Sequence, residues 1–449
     1  MSKVIRIANG QGFWGDSIDA PVNLINDGPI DYLTLDYLAE VTLSIMQRQK
    51  LKRPDAGYAR DFVDLIDRVL PDLVSKNIKV ISNAGGVNPE ACRDALLEVA
   101  KKKGIDIKIG IIKGDNIYDN IDKFVKSGVD FKNLETGADF STVRDKVYSA
   151  NVYIDSFSIA RALDDGAQIV LAGRVSDPGL ALGPAIHEFG WTSNQIDLIA
   201  AGTLAGHITE CGAQCTGGNY SRWYEVDDLA NVGYPIIEMQ ETGQFIITKH
   251  PGTGGLVNRQ TVSEQILYEM GDPTNYISPD VCVDFTSFDL LDLGNDRVQL
   301  SNVKGAEGTA TYKVSISYFA GYKASGQLTI SGPNPLKKAE LVADLIWKRL
   351  ENAGCIYEDK STEFLGISSC HGNINSTPEQ VNEVVLRLGV KDKDKEKVNR
   401  FGKEIAPVIT NGPPGVTGFA GGRPKAQEII AYWPTLIPKE LITTDVDVS

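Results

Sequence analysis

Cysteine, histidine and methionine are scarce in this 449-residue chain, at six, four and four residues. The thiols Cys92, Cys211, Cys215, Cys282, Cys355 and Cys370 are scattered and include no Cys-x-x-Cys pair. That spacing excludes a dense disulfide framework and implies a reducing compartment, the cytoplasm. No apolar run approaches the ~20 residues of a membrane span. Residues 1–7 lead straight into a strand, without the apolar segment of a signal peptide. A membrane is therefore not an expected partner. Basic residues are outnumbered 45 to 59, giving a net charge of -14. A surface of that sign repels a phosphate backbone, so nucleic acid is not expected either. The longest basic cluster, Lys101-Lys102-Lys103, ends a predicted helix, where cations suit the dipole. Also missing are the P-loop pattern, the G-x-S-x-G nucleophile elbow, H-E-x-x-H and an EF-hand loop.

What is present is a globular composition: 42% hydrophobic, 23% charged and 44 glycines. A chain of this length exceeds the ~250–300 residues at which single cores stop growing, so two tightly joined domains are expected. Strands at residues 4–8, 78–82, 107–112 and 169–172 alternate with helices at 36–49, 62–74 and 89–103 and one ending at 160–163. Leu38, Val41, Ile45 and Met46 mark the first helix face; Phe62, Leu65, Ile66, Val69 and Leu73 mark the second, which Pro71 should end or kink. Asn88-Pro89-Glu90 is a strong start for the third, which Gly104 stops. This alternation predicts an α/β fold with a mainly parallel, doubly wound, Rossmann-like sheet over residues 1–279. The pattern then changes. Residues 281–293, 297–303, 312–318 and 327–331 read as an antiparallel meander. Asn334-Pro335 opens a helix burying Leu341, Val342, Leu345 and Ile346, and a strand at 364–368 and a helix at 378–388 follow. Residues 280–390 thus form a smaller α+β two-layer domain. Residues 391–449 are a charged connector, 391–397, and a Gly/Pro-rich tail packing back on the first domain.

Chemistry concentrates in loops that follow strands. Gly10-Gln11-Gly12-Phe13-Trp14-Gly15 fits G-x-G-x-x-G, with Asp31 and Asp36 about 20 residues on, where a dinucleotide fold places its ribose-binding acid. Phe13 and Trp14 are bulky for a loop that hugs pyrophosphate, and Pro21 interrupts the expected helix. The plain alternative is a tight turn with buried aromatics. Loops around Asn83-Ala84-Gly85-Gly86, Asp115 and Arg174-Val175-Ser176-Asp177 occupy equivalent positions, where open α/β sheets bind ligands. Arg174 suits a bidentate carboxylate or phosphate clamp, or an ion pair with Asp177. His207, Glu210 and Cys211 are the catalytic candidates, with histidine titrating near neutrality. Cys211 is either a nucleophile or a buried thiol. His207, Cys211 and Cys215 are spaced four apart. Glycines break that segment and the spacing is not a zinc signature, so no metal is assigned. Lys249, Thr253, Gly254 and Gly255 make a further anion-loop candidate, and Arg423 in the tail a closing cation. Asn9, Gln11, Asp16, Asn83, Gly85, Gly86, Asp115, Arg174, Asp177, Lys249, Thr253, Gly254 and Arg423 are the substrate-binding candidates.

In order along the chain, GQGFWGD (10–16), DYLAEV (36–41), DAGYARDF (55–62), SNAGGVNP (82–89), residues 173–177, AGHITECGAQ (205–214) and NVGYP (231–235) resemble the AtuA family, named for acyclic terpene utilisation. The match continues through 249–257, 321–327 and 422–438. Cys215 lies outside the family pattern. The resemblance implies a cytoplasmic lyase or hydratase in acyl-CoA metabolism. Its small-molecule anionic substrate would be a branched or isoprenoid acyl-CoA or hydroxy acid. It implies no assigned cofactor, with the CoA thioester as the substrate form. In that reading His207 and Glu210 move the proton, the amides of Gly85, Gly86, Gly254 and Gly255 stabilise the anion, and Arg174 anchors a carboxylate. Many family members carry an appended ferredoxin-like domain, which this chain is not expected to contain. A homo-oligomer is expected, and a separate small chain of ferredoxin-like fold is a candidate partner. Two readings compete: an NAD-dependent oxidoreductase, and a non-catalytic subunit of an acyl-CoA enzyme complex.

Overall fold

Hydrophobic strands of successive β–α repeats build the centre of the large sheet in the first of two units. The computed structural model describes residues 3–367, 369–372, 381–418 and 421–449. Two compact units divide the chain: residues 1–317 with 432–449, and residues 318–431. The division differs from the expected one. The boundary falls at 318 rather than 280, because residues 281–303 pair with strands of the first unit.

In chain order the first unit contains β1 (Val4–Gln11), α1 (Ala20–Asp27), β2 (Tyr32–Leu35), α2 (Glu40–Lys52), α3 (Arg60–Ser75), β3 (Lys79–Ser82), α4 (Pro89–Lys103) and β4 (Ile109–Lys113). It continues through α5 (Ile121–Lys126), β5 (Val147–Val152), α6 (Phe157–Asp164), β6 (Ile169–Leu171), α7 (Gly179–Phe189), α8 (Ile196–Thr209), β7 (Ile236–Gln240), β8 (Phe245–Thr248) and α9 (Arg259–Leu267). Short strands follow: β9 (Tyr276–Ile277), β10 (Cys282–Asp284), β11 (Asp289–Asp292), β12 (Val298–Ser301) and β13 (Lys304–Ala306). β14 (Thr311–Ser331) runs from the first unit into the second. The second unit adds α10 (Pro335–Asn352), β15 (Asp359–Leu365), β16 (Glu383–Asp392), α11 (Lys395–Ile405), α12 (Val408–Asn411) and the start of β17 (Gln427–Pro438); β18 (Asp445–Val448) ends the chain.

A ten-stranded sheet has the order β11-β12-β8-β7-β1-β2-β3-β6-β4-β18. Four pairings are parallel, β1–β2, β2–β3, β3–β6 and β6–β4. The other five are antiparallel. The sheet is therefore mixed, with a parallel centre, rather than mainly parallel. Helices α1, α3 and α4 bury their apolar stripes on one face of it, against Leu33, Leu35, Val80, Ile109 and Leu171. On the other face Tyr32 reaches Glu188 at the end of α7, and α6, α7 and α8 pack in succession. β18 pairs with β4, and residues 432–449 belong to the first unit, whereas residues 391–431, expected to return to it, belong to the second.

Several local expectations give way to stronger forces. The helix expected from residue 36 begins at Glu40, because the Asp36 carboxylate accepts the Leu38 amide at 3.0 Å and holds the chain in a turn. Its buried side chains are Leu43, Ser44, Met46 and Gln47, while Val41 and Ile45 face outward. Helix α3 runs through Pro71, since six buried apolar residues outweigh one lost backbone bond. The supposed meander divides: β11 and β12 extend the large sheet, β9, β10 and β13 form a three-stranded sheet, and residues 311–331 are one long strand.

The second unit is a two-layer α+β body. β14, β15 and β16 pair antiparallel, and α10 and α11 cover the face carrying Leu328, Ile330, Leu386 and Leu388. Leu341 points to solvent instead of the core. The expected strand at 364–368 is β15, which ends at Leu365; Ser368 lies outside the described residues. The expected helix at 378–388 is corrected to strand β16, with residues 378–380 outside the described range. Val384, Leu386, Leu388 and Val390 alternate inward, which is the strand period. Residues 391–397 are no connector either: Asp394 accepts the amides of Glu396 and Lys397 and starts α11. Phe419 and Ala420 of the Gly/Pro tail also lie outside the described residues.

Candidate active site

Parallel strands β1, β2, β3, β4 and β6 deliver their following loops to one edge of the sheet, and a cavity of about 420 Å³ lies there. Its lining includes Gly12, Asp36, Glu40, Arg174, Asp177, Glu210, Cys211 and Glu269. Asp36 follows β2 directly and is 4% exposed. Its Oδ1 accepts bonds from Leu38 N at 3.0 Å and Asn83 Nδ2 at 2.7 Å. Burial, and then the negative charge of Asp177, push its carboxyl up to about 7, against the opposing pull of Arg174.

Arg174 is the buried cation of the site. Its Nη1 donates to Asp177 Oδ1 at 2.6 Å, so the expected ion pair is present. Its guanidinium lies 4.2 Å from the centre of the Tyr153 ring. The Tyr153 hydroxyl donates to Glu40 Oε1 at 2.5 Å. Burial alone would raise the Glu40 carboxyl; the Tyr153 bond leads the groups that outweigh it and hold it below its usual range. Arg174 Nε is buried with no hydrogen-bond partner.

Glu210 follows α8, and burial pushes its carboxyl up to about 7. Its Oε1 is 3.2 Å from His207 Nδ1, at ion-pair distance but poorly aligned for a hydrogen bond. His207 itself is shut away. Its Nε2 is 3.2 Å from Ile266 O, and its ring packs on Tyr276 and Phe285 at 5.2 Å each. Burial alone would lower its pKa; the Glu210 carboxylate overrides this and raises it. His207 does not line the cavity, so it can orient Glu210 without touching a ligand. Cys211 does line it, but burial and then Glu210 push its thiol up to about 12, which removes the thiolate a nucleophile needs. Helix α8 ends at Thr209, so the spacing of His207, Cys211 and Cys215 does not translate into one helical face.

The other candidates sort into three groups. One group lies beneath the lining and holds it. Asn83 fixes Asp36. Asp115 accepts the Arg174 amide at 2.8 Å, and burial raises its carboxyl. Asn9 Nδ2 reaches Glu210 O at 3.4 Å, and its Oδ1 accepts the Gln11 amide. Asp16 accepts the Gly12 amide at 2.9 Å and the Tyr234 hydroxyl at 2.7 Å. A second group is packed away or spends its donors elsewhere. The Gly86 amide closes a turn on Asn83 O, and Gly85 packs on Pro89. Gly254 and Gly255 donate to Asn231 O and Asp227 O, so these glycines supply no free anion hole. Lys249 is paired with Asp296 at 3.0 Å and Thr253 O at 2.9 Å, and Thr253 Oγ1 donates to His250 O. Neither Lys249 nor Thr253 lines this cavity. Last, Arg423 is exposed and belongs to the second unit.

The glycine loop departs from a dinucleotide turn. Helix α1 starts at Ala20, well after Gly15. A Cβ at Gly12 would sit 2.7 Å from the Cys211 carbonyl carbon, so that glycine serves close packing against main chain. Phe13 is 61% exposed, against the expected buried aromatic. Asp31 precedes β2, at the opposite edge of the sheet, and accepts the Arg6 amide. Residue patterns alone did not single out Glu40, Glu269 or Tyr153. Asp36 was visible only as a ribose ligand. Nothing in its neighbours announces the burial that changes its chemistry.

Fold and site define a layered α/β protein with a carboxylate-lined cavity at the carboxyl ends of parallel strands. The family model for acyclic terpene utilisation protein AtuA matches residues 5–448, and the chain belongs to that family. No match is found among curated proteins. Among solved structures, a homoserine dehydrogenase from Thiobacillus denitrificans aligns over 91% of this chain and 84% of its own at 11% identity, with a TM-score of 0.15. Among the described residues, no helix is long and apolar enough to cross a membrane.

Proposed function

We propose that this chain is a cytoplasmic lyase or hydratase acting on a branched or isoprenoid acyl-CoA or hydroxy acid. Family membership supplies the metabolic setting. One observation carries the chemistry: Asp36 and Glu210, both raised to about 7, share a cavity with the buried cation Arg174. Carboxyls poised near neutrality can either take or give a proton at working pH.

A reaction that fits uses one carboxylate to remove the proton on the carbon beside a thioester carbonyl. The electron pair moves into the carbonyl as an enolate, whose negative oxygen the Arg174 guanidinium stabilises. The enolate then expels the hydroxyl from the next carbon as water, with the proton supplied by the other carboxyl. The unpartnered Arg174 Nε is a donor available for that oxygen. His207 is a positioning residue here, and Cys211 takes no part. A neutral thioester carbonyl also suits a lining in which acids outnumber the single arginine.

The test is turnover of branched 3-hydroxyacyl-CoAs, followed as loss of water by mass spectrometry. Glu210→Gln should reduce kcat by about 100-fold or more, the scale of general acid–base catalysis. Unchanged turnover in both Glu210→Gln and Asp36→Asn would remove the reading.

A further inference from the structure

A second cavity, of about 270 Å³, adjoins the first; Asp177 lines both. Three tyrosines form much of its wall: Tyr153, Tyr276 and Tyr312. Two of their hydroxyls are engaged with carboxylates, Tyr153 with Glu40 and Tyr312 with Asp155 at 2.6 Å. The Tyr276 ring is stacked on Phe285 with centroids 4.7 Å apart. With those two hydroxyls tied, Tyr153 and Tyr312 offer mainly ring carbon to the space between them, beside Lys313, whose Nζ lies 4.9 Å from the centre of the Tyr153 ring. Leu436 adds a further apolar surface.

Asp177, Ser278, Thr309, Thr311 and Lys313 also line the cavity; Asp177 pairs with Arg174, and the Ser278 and Thr309 hydroxyls donate to Val281 O and Thr311 O. Ser176 stands apart. The residue is 7% exposed and lines the cavity, yet its Oγ has no hydrogen-bond partner. Buried hydroxyls are ordinarily paired, and an orphan requires a reason. Neighbouring Gly179 leaves the hydroxyl room: a Cβ there would come within 3.1 Å of Ser176 Oγ. A cavity of this size falls just below the ~300–1,000 Å³ of ordinary ligand pockets, which suits a short chain.

We infer that this second cavity is a binding pocket for a short hydrocarbon group bearing one oxygen, with the chain on the faces of Tyr153, Tyr276 and Tyr312 and the oxygen bonded to Ser176 Oγ. That the group belongs to the substrate rests on the acid–base reading of the adjoining cavity; that the pocket binds it does not. In that role Ser176 and the tyrosines set chain length and register, placing the reacting carbon beyond Asp177.

Saturation-transfer NMR and titration with 3-methylbutan-1-ol test the pocket without turnover, with glycerol as the polar control. Wild type should bind the alcohol saturably in the millimolar range and ignore glycerol. Ser176→Ala should weaken binding at least five-fold while keeping or raising Tm, because it deletes an unpaired buried hydroxyl. A merely structural serine would lower Tm and leave the ratio of the two ligands unchanged. Asp36→Asn should bind the alcohol as wild type does. Absence of saturable binding to wild type, or equal binding by Ser176→Ala, overturns the pocket. Loss of turnover together with intact alcohol binding would instead count against the acid–base reading alone.

Discussion

Replacing Asp36 with asparagine should stabilise the protein at pH 8 and change little at pH 4. In the unfolded chain this carboxyl titrates near ~4. In the folded chain burial and Asp177 hold its proton to about 7. The folded state therefore binds the proton more tightly. Below the unfolded value both states carry it, and folding suffers no penalty. As pH rises from about 4 to about 7 the unfolded chain releases its proton first, and stability falls; above about 7 the whole penalty applies. At about 1.4 kcal/mol for each tenfold difference in proton affinity, the ceiling is about 4 kcal/mol. Arg174 loses a neighbouring anion in the variant, which offsets part of this and leaves a gain of about 1–3 kcal/mol. The amide keeps an oxygen to accept from Leu38 and Asn83, so the turn survives. Urea unfolding followed by tryptophan fluorescence at pH 4.5, 6, 7 and 8 reads the difference. A gap independent of pH, or a wild type more stable than the variant at pH 8, would refute the reasoning.

Further outcomes follow from the same geometry. Cys211 in the folded protein should react with iodoacetamide at pH 7.5 at least ten-fold more slowly than a free cysteine, since its thiol is pushed up to about 12; fast labelling would contradict this. Arg174→Lys should lower kcat/KM by about 10-fold or more, because an ammonium cannot both stack on Tyr153 and reach Asp177; steady-state kinetics checks it. Gly86→Ala should cost about 2 kcal/mol or more, measured by thermal unfolding, because φ is 54° there and the new Cβ would sit 2.7 Å from Gly57 O.

Local chemistry made part of this legible. Asn88-Pro89 and Gly104 bracket α4 because helix ends have side-chain and dihedral requirements that single residues meet. The loops after β1, β3, β4 and β6 were expected at one sheet edge, and the parallel pairing of these strands around β2 puts them there. What stayed hidden depends on distant partners. β12 joins β8 across about 50 residues of chain, which no local period encodes. The polar residues Asn83, Asp115 and Asp16 looked like ligand contacts because they sit in loops. In three dimensions they support the groups that line the cavity. His207 drew attention as a rare histidine, whereas burial makes it a partner for Glu210. The alternation in residues 383–392 was readable as a strand, but the preceding Pro378-Glu379 imitates a helix start.

Proton transfer at the Asp36–Glu210 cavity is the central step, and exchange of a substrate hydrogen with solvent measures it directly. Wild type, Asp36→Asn and Glu210→Gln would each be incubated in D₂O with 3-methylbutyryl-CoA, which has the acidic carbon but no leaving hydroxyl. Wild type should incorporate deuterium beside the thioester carbonyl, fastest near pH 7, with Glu210→Gln slower by about 100-fold. Incorporation no faster than buffer alone, or equal in all three proteins, would contradict it.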